Sequence, residues 1–268
     1  MKISSLYFFV NASKADGVET HARLAASLAR HGIAEASSPD GADAVVALGG
    51  DGTILRAVRS CMEKPIVGFN IGSLGYLASV ERKDFDGALA MLAEGRFRIS
   101  RRTMLAARKA GSGETCTALN DIAITKVLSG HVATMDLAVN SRTAARYTAD
   151  GMVFATPTGS TAYSLAAGGP VVMPDSPSFV VTPVNPHALG TRPMVVSDSV
   201  SMQVALADRG EGSKAGVYAD GENAFFLDPG ETVEICRAPC CASLIELEGY
   251  DPYDVMARKL GWNGFAKV

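Results

Sequence analysis

Short, continuously apolar runs lie at Leu6 to Val10, Ala44 to Leu48 and Pro65 to Phe69. Runs of this length, without polar alternation, suit strands buried on both faces, the condition of a parallel sheet covered by helices. The stretches between them read as helical. His21, Leu24, Ala25 and Leu28 recur at i, i+3, i+4 and i+7, with Gly32 placed to stop that helix. Thr53 to Cys61 and Asp84 to Glu94 read as two more, the latter ended by Gly95. This alternation predicts a doubly wound sheet, with ligands beyond the carboxyl ends of its strands.

After about residue 98 the pattern changes. Segments around 101–109, 114–127, 133–139, 143–149, 193–206, 214–227 and 231–237 read as strands, often separated by Gly, Asn, Ser or Pro. Pro252 to Leu260 is a short helix candidate. The expected class is α/β plus all-β: a doubly wound α/β domain over 1–98 and a β-rich domain over 99–247. The tail, about 248–268, is expected to pack back on the first domain.

Composition narrows the function. A net charge of −3 gives no electrostatic footprint for nucleic acid or an anionic membrane. An anionic substrate must then be held by backbone donors and a few basic residues. No apolar run approaches the roughly 20 residues that span a bilayer. The start, MKISSLYFFVN, lacks a small-residue cleavage site and reads as a first strand rather than a signal peptide. The five cysteines lack CxxC spacing. Cys236, Cys240 and Cys241 lie close in sequence, but a zinc site there lacks evident partners, and reduced thiols of a cytosolic protein are the simpler reading.

The sharpest local signal is Gly49-Gly50-Asp51-Gly52-Thr53, after one apolar run and before a helix. Glycines there let backbone approach a ligand, and the amides of a helix start favour phosphate. A carboxylate in such a loop repels a bare phosphate. It makes sense if Asp51 accepts a proton from an attacking hydroxyl or engages magnesium, or else if it merely caps the helix. No Gly-Lys-Ser/Thr follows, so this is not a P-loop, and it is not the GxGxxG fingerprint of hydride-transferring enzymes.

A second signal runs from Asp150 to Pro170, DGMVFATPTGSTAYSLAAGGP. Thr156 to Thr161, Thr158 included, offers hydroxyls and a cap for a short helix through Ala167, while Tyr163 is suited to stacking or hydrogen bonding. Gly159-Ser160-Thr161-Ala162 does not supply the Gly-x-Ser-x-Gly of a serine hydrolase. A third, weaker signal is Asn120-Asp121, polar neighbours in an apolar stretch. Buried, they need partners, which ribose hydroxyls or a strand-end turn would provide.

Together these stretches resemble the NAD kinases, nearly end to end. The resemblance implies that Gly50, Asp51 and Gly52 form the family's glycine-aspartate loop, with Asp51 as proton acceptor. Asn120-Asp121 corresponds to the family's Asn-Glu pair; the aspartate keeps the charge but shortens the reach. Asp150 matches a binding position, and Thr161, Ala162, Tyr163, Ser164, Leu165 and Ala166 would line the dinucleotide site. Phe69-Asn70 resembles a segment near the adenine. Asn185 and His131 fall at ligand-contact positions, although neither sits in a motif, and His131, like His187, reads by itself as a polar surface or loop residue. Arg56, one helical turn beyond the loop, would meet phosphate or simply face solvent.

The expected reaction is transfer of the γ-phosphoryl of ATP, with Mg²⁺ or another divalent cation, to the 2′-hydroxyl of NAD's adenosine ribose. The implied architecture places the site between an α/β and a β-rich domain, in a cytoplasmic homodimer or homotetramer without nucleic-acid or membrane partners. No resident metal site is expected. Rival readings are a lipid kinase of the diacylglycerol or sphingosine type, similar at Gly49 to Thr53, and a non-catalytic NADP-binding sensor, which has no use for Asp51.

Overall fold

The computed structural model describes residues 2–10, 15–72, 75–78, 80–127, 132–207 and 214–262. The chain begins with β1 (Ser5–Val10), α1 (Ala15–Leu28), β2 (Ala34–Glu35), β3 (Ala44–Leu48), α2 (Asp51–Ser60), β4 (Ile66–Asn70), β5 (Val80–Glu81) and α3 (Phe85–Glu94). Strands then dominate: β6 (Phe97–Lys109), β7 (Thr115–Ala118), β8 (Asp121–Lys126), β9 (Ala133–Val139), β10 (Arg142–Ala149) and β11 (Gly151–Ala155). A 3₁₀ turn (Thr158–Thr161) and α4 (Tyr163–Ala166) follow. Last come β12 (Ser178–Val184), β13 (Met194–Ser197), β14 (Met202–Leu206), β15 (Ala215–Ala219), β16 (Glu222–Leu227), β17 (Thr232–Leu247) and α5 (Pro252–Leu260). The chain divides into two compact units, Met1–Arg101 with Ala242–Val268, and Arg102–Cys241.

The first unit holds a parallel sheet in the order β2-β1-β3-β4, with β5 and the end of β17 both pairing with β4. β3 and β4 are buried along their whole length, as their unbroken apolar runs demand, whereas β1 is only half-buried at alternate residues and β2 is an exposed edge. On one face Leu6, Phe8, Val46, Leu48, Val67 and Phe69 meet Leu24 and Leu28 of α1 and Leu89 and Leu92 of α3. The other face receives α2, whose Ile54 Cδ1 would lie 2.4 Å from a Cβ on Gly68. Strand order reverses between β1 and β3: the chain leaves β1 toward β2 and leaves β3 toward β4. Such a switch point, at the carboxyl ends, is where open α/β sheets bind ligands. The Gly49 to Thr53 loop leaves β3 at that end.

The second unit is β-rich. One antiparallel sheet runs β13-β12-β11-β8-β15-β16; the other contains β10-β9-β14 with β17, and β6 pairs with β17 and β7. Ile122, Ile124 and Phe154 of the first sheet share a core with Met135, Leu137, Val204 and Val233 of the second. The residues alternate inward along each strand, as packed antiparallel sheets require.

Several expected strands are in fact hairpins or pairs. The 114–127 segment breaks at Leu119-Asn120 into β7 and β8, and 214–227 breaks at Asp220-Gly221 into β15 and β16. The 193–206 segment breaks into β13 and β14. β11 and β12 were absent from the expected strands: β11 is short and fully buried, and it opens the motif whose polar part dominated the reading.

Candidate functional site

In the first unit, α2 begins at Asp51, with Gly50 in extended conformation as its N-cap and no side-chain cap bond. Asp51 therefore does not cap its own helix. Its carboxylate reaches a distant segment: Oδ2 accepts the Tyr76 N–H at 2.8 Å, and Oδ1 accepts those of Leu77 at 3.0 Å and Ala78 at 3.1 Å. A Cβ at Gly75 would lie 2.0 Å from Asp51 Oδ1, so only glycine permits this approach. Burial, and after it the Asp51 charge, push the Tyr76 phenol above its ordinary range. The Lys259 ammonium of α5 lies over the Tyr76 ring, 5.4 Å from its centroid.

Gly52 and Arg56 are exposed on α2. Asn70 is buried beside the loop, and its Oδ1 accepts the Gly72 N–H at 2.9 Å. The Phe69 ring is committed to the core, 4.8 Å from the Phe85 ring in a stacked arrangement. Its carbonyl accepts the Gly49 N–H at 2.9 Å, which ties the glycine loop to β4.

The second unit gathers most other candidates around Asn120 and Asp121. Asn120 Oδ1 is buried and has no hydrogen-bond partner among the described residues. An orphaned buried acceptor is costly, and a ligand donor would relieve it. Asp121 is buried, and its carboxyl is pushed up to about 7. Loss of solvent is the main cause, the Asp220 charge adds to it, and a hydrogen bond from the Tyr163 backbone N–H opposes it. The Tyr163 phenol is itself raised, by burial first and then by the charges of Asp121 and Asp150. Asp150 is held low by Lys126, then by Asn185, whose Nδ2 donates to Oδ2 at 3.1 Å.

Thr156 organises the glycine-threonine motif. Its Oγ1 donates to the Leu119 carbonyl at 2.6 Å and accepts the Gly159 N–H at 3.0 Å, while its own N–H donates to the Asn120 carbonyl at 2.9 Å. A Cβ on Gly159 would lie 2.0 Å from that carbonyl oxygen. The expected short helix is a 3₁₀ turn followed by the four residues of α4. Thr158 is buried, and Thr161 Oγ1 donates to its carbonyl at 3.3 Å. Ser164 is fully buried, its hydroxyl 2.7 Å from that of Thr182. Ala162 and Leu165 are half-buried, whereas Tyr163 and Ala166 are exposed. His131 lies outside the described residues.

Sequence reasoning missed Asp220, Lys126 and the 75–78 segment. Asp220 had a signal, since Asp-Gly between apolar stretches marks a tight hairpin. Gly75 and Lys126 had none.

A carboxylate at a switch-point loop, without the phosphate-binding or hydride-transfer fingerprints, points to a nucleotide-site protein of the phosphotransferase class. Family models agree: residues 6–97 match the ATP-NAD kinase N-terminal domain and residues 119–247 the ATP-NAD kinase C-terminal domain. An NAD kinase of Symbiobacterium thermophilum is 39% identical over 245 residues, 88% of this chain and 86% of that one. One of Moorella thermoacetica is 36% identical over 251 residues, 92% and 80% of the two chains. A crystal structure of an NAD kinase from Archaeoglobus fulgidus in complex with ATP is 25% identical with a TM-score of 0.78, covering 97% of this chain and 99% of that one. Yeast NADH kinase complexed with NADH shares the fold, at a TM-score of 0.89 and 22% identity, over 100% and 90% of the chains. The chain belongs to the ATP-NAD kinase family.

Proposed function

We propose that this chain converts NAD and ATP into NADP and ADP, with Asp51 accepting the proton. The adenosine 2′-oxygen attacks the γ-phosphorus, a new O–P bond forms, and the bond from that phosphorus to the β-γ bridging oxygen breaks. The electron pair leaves with ADP, and the hydroxyl proton passes to the Asp51 carboxylate. The observation that carries this role is the way Asp51 is held. A carboxylate has about four acceptor positions. Two on Oδ1 and one on Oδ2 receive amides, which orients the group and, among the described residues, leaves Oδ2 an open position. Phosphoryl transfer depends chiefly on positioning and charge compensation, and a prealigned acceptor supplies the first.

Asn120 and Asp121 are proposed to hold the acceptor's sugar, with Tyr163, Thr161 and Ala162 beside the dinucleotide and Asp150 and Asn185 at its margin. The orphaned Asn120 oxygen supports this. Arg56, exposed one turn beyond the loop, is the proposed phosphate contact. A divalent cation is expected on ATP, where donor phosphates, waters and one or two carboxylates usually coordinate it. The described residues contain no group of three or more His, Cys, Asp or Glu able to hold a metal, and Asp51 is the carboxylate of the glycine loop. Held by the donor phosphates, the cation would neutralise charge on their oxygens.

No described helix is long and apolar enough to cross a membrane. We place the protein in the cytoplasm as a homodimer or homotetramer, which light scattering on the purified protein would check. The reaction is tested by mixing the pure protein with NAD and Mg-ATP and following NADP. Asp51→Asn should retain NAD binding by calorimetry while turnover falls about 10²- to 10⁴-fold, the usual weight of a general base. Unchanged turnover would remove Asp51 from the mechanism.

A further inference from the structure

Every backbone polar group of Leu119, Asn120 and Asp121 is taken by just two residues. From one side, Thr156 satisfies the carbonyls of Leu119 and Asn120. From the other, Asp220 does the rest. Its Oδ2 accepts the Leu119 N–H at 3.0 Å, and its Oδ1 accepts those of Asn120 at 2.7 Å and Asp121 at 3.3 Å. Its own N–H donates to the Asp121 carbonyl at 3.0 Å.

Asp220 sits at the tip of the β15–β16 hairpin. It and Gly221 have φ of 49° and 82° between the paired residues Ala219 and Glu222. Two consecutive positive φ values mark a type I′ turn, in which Asp-Gly is a preferred pair. Such a turn needs no inward carboxylate. Here the half-buried carboxylate is directed at the segment that carries Asn120 and Asp121, near the buried carboxyl of Asp121. Like charges at short range disfavour each other, a cost that the three backbone donors held by the Asp220 carboxylate offset.

We propose that Asp220 is a positioning residue for the dinucleotide, its carboxylate fixing the backbone from which Asn120 and Asp121 reach the acceptor's sugar. The proposal rests on the reading above that those two side chains contact NAD. A neutral amide cannot replace the carboxylate, because it offers one acceptor oxygen and turns an NH₂ toward backbone donors. Asp220 also acts on the ionisation of Asp121. The groups facing Asp121 are Asp220 from the hairpin and Tyr163 from α4, with Asp150 acting on the Tyr163 phenol. Burial is the main cause that raises the Asp121 carboxyl to about 7 and the Asp220 charge adds to it, so without that charge Asp121 loses its proton at lower pH.

The test compares wild type with Asp220→Asn and Asp220→Gly, both compatible with positive φ. In folded protein, KM for NAD should rise about tenfold or more, as expected when hydrogen bonds to a charged group are lost. The kcat and the KM for ATP should change little. The midpoint of the pH dependence of kcat/KM for NAD should move to lower pH, a shift that a merely structural turn residue would not cause. An unchanged KM for NAD, or an unmoved midpoint, overturns the proposal. Should neither variant fold, amide exchange in the wild type decides: strong protection at Leu119, Asn120 and Asp121 supports the clamp, and free exchange overturns it. Asn120→Ala and Asp121→Asn separate the two layers. If these leave KM for NAD unaltered, the underlying contact reading fails; if they raise it and Asp220→Asn does not, only the Asp220 role fails.

Discussion

Gly75 and Asp51 are packed so closely that a single methyl group at position 75 would stand 2.0 Å from the carboxylate oxygen. The contact joins two loops of the first unit, the one leaving β3 and the one between β4 and β5. It makes residue 75 a sensitive probe of the Asp51 role.

Gly75→Ala must displace either the carboxylate or the amides that hold it. Overpacking of this kind costs about 1–3 kcal/mol. If Asp51 is the proton acceptor, kcat falls by more than the loss of stability explains, while NAD affinity holds. Thermal melting beside steady-state kinetics measures both; a full kcat would show that the alignment of Asp51 is irrelevant.

Asp121 should give the protein opposing pH responses. Its folded carboxyl is raised from 3.8 to about 7. In the free protein its contribution to stability is therefore complete below pH 3.8 and is lost as pH climbs toward about 7. Affinity for NAD runs the other way, because the ionised form is the better acceptor for sugar hydroxyls. Denaturant melts and KM for NAD across pH 5 to 8 should show both slopes, and Asp121→Asn should flatten them.

Phe69 was expected near the adenine. Its ring is buried against Phe85, so Phe69→Ala should act through folding. A loss of about 3–5 kcal/mol is typical for such a truncation. Enzyme that remains folded should keep its KM values for NAD and ATP, and a raised KM at unchanged stability would restore a binding role.

Gly159→Ala places a Cβ against the Asn120 backbone, where no flexible side chain can yield. The strain should lower Tm by roughly 2–10 °C and weaken NAD binding together. Differential scanning calorimetry with and without NAD separates the effects. A variant with native Tm and native affinity would contradict the packing described here.

Much of the fold was legible because its signals are local. The expected helix over Pro252 to Leu260 matches α5 residue for residue, and Gly32 and Gly95 stand at helix ends as read. The apolar runs marked β3 and β4 because strands buried on both faces admit few polar residues, and the same run marked β1 although only Leu6 and Phe8 are buried in it. The glycine-aspartate loop and the motif after Asp150 stood out by composition. The misses are long-range. Nothing near Asp51 announces that its carboxylate is held by amides 25 to 27 residues away. The 114–127 and 214–227 stretches stayed unbroken because apolar content outweighed Asn120 and the Asp220-Gly221 pair.

The hairpin tips of the second unit differ in what a length change would do. The 111–113 tip between β6 and β7 is exposed, with open space around its glycines, and an inserted residue there would merely enlarge the loop. At 220–221 one extra residue would rotate the acid away from three amides at once. This two-residue turn is thereby a ruler, and a genetic insertion a single codon long would mute the proposed sugar-holding pair without touching it.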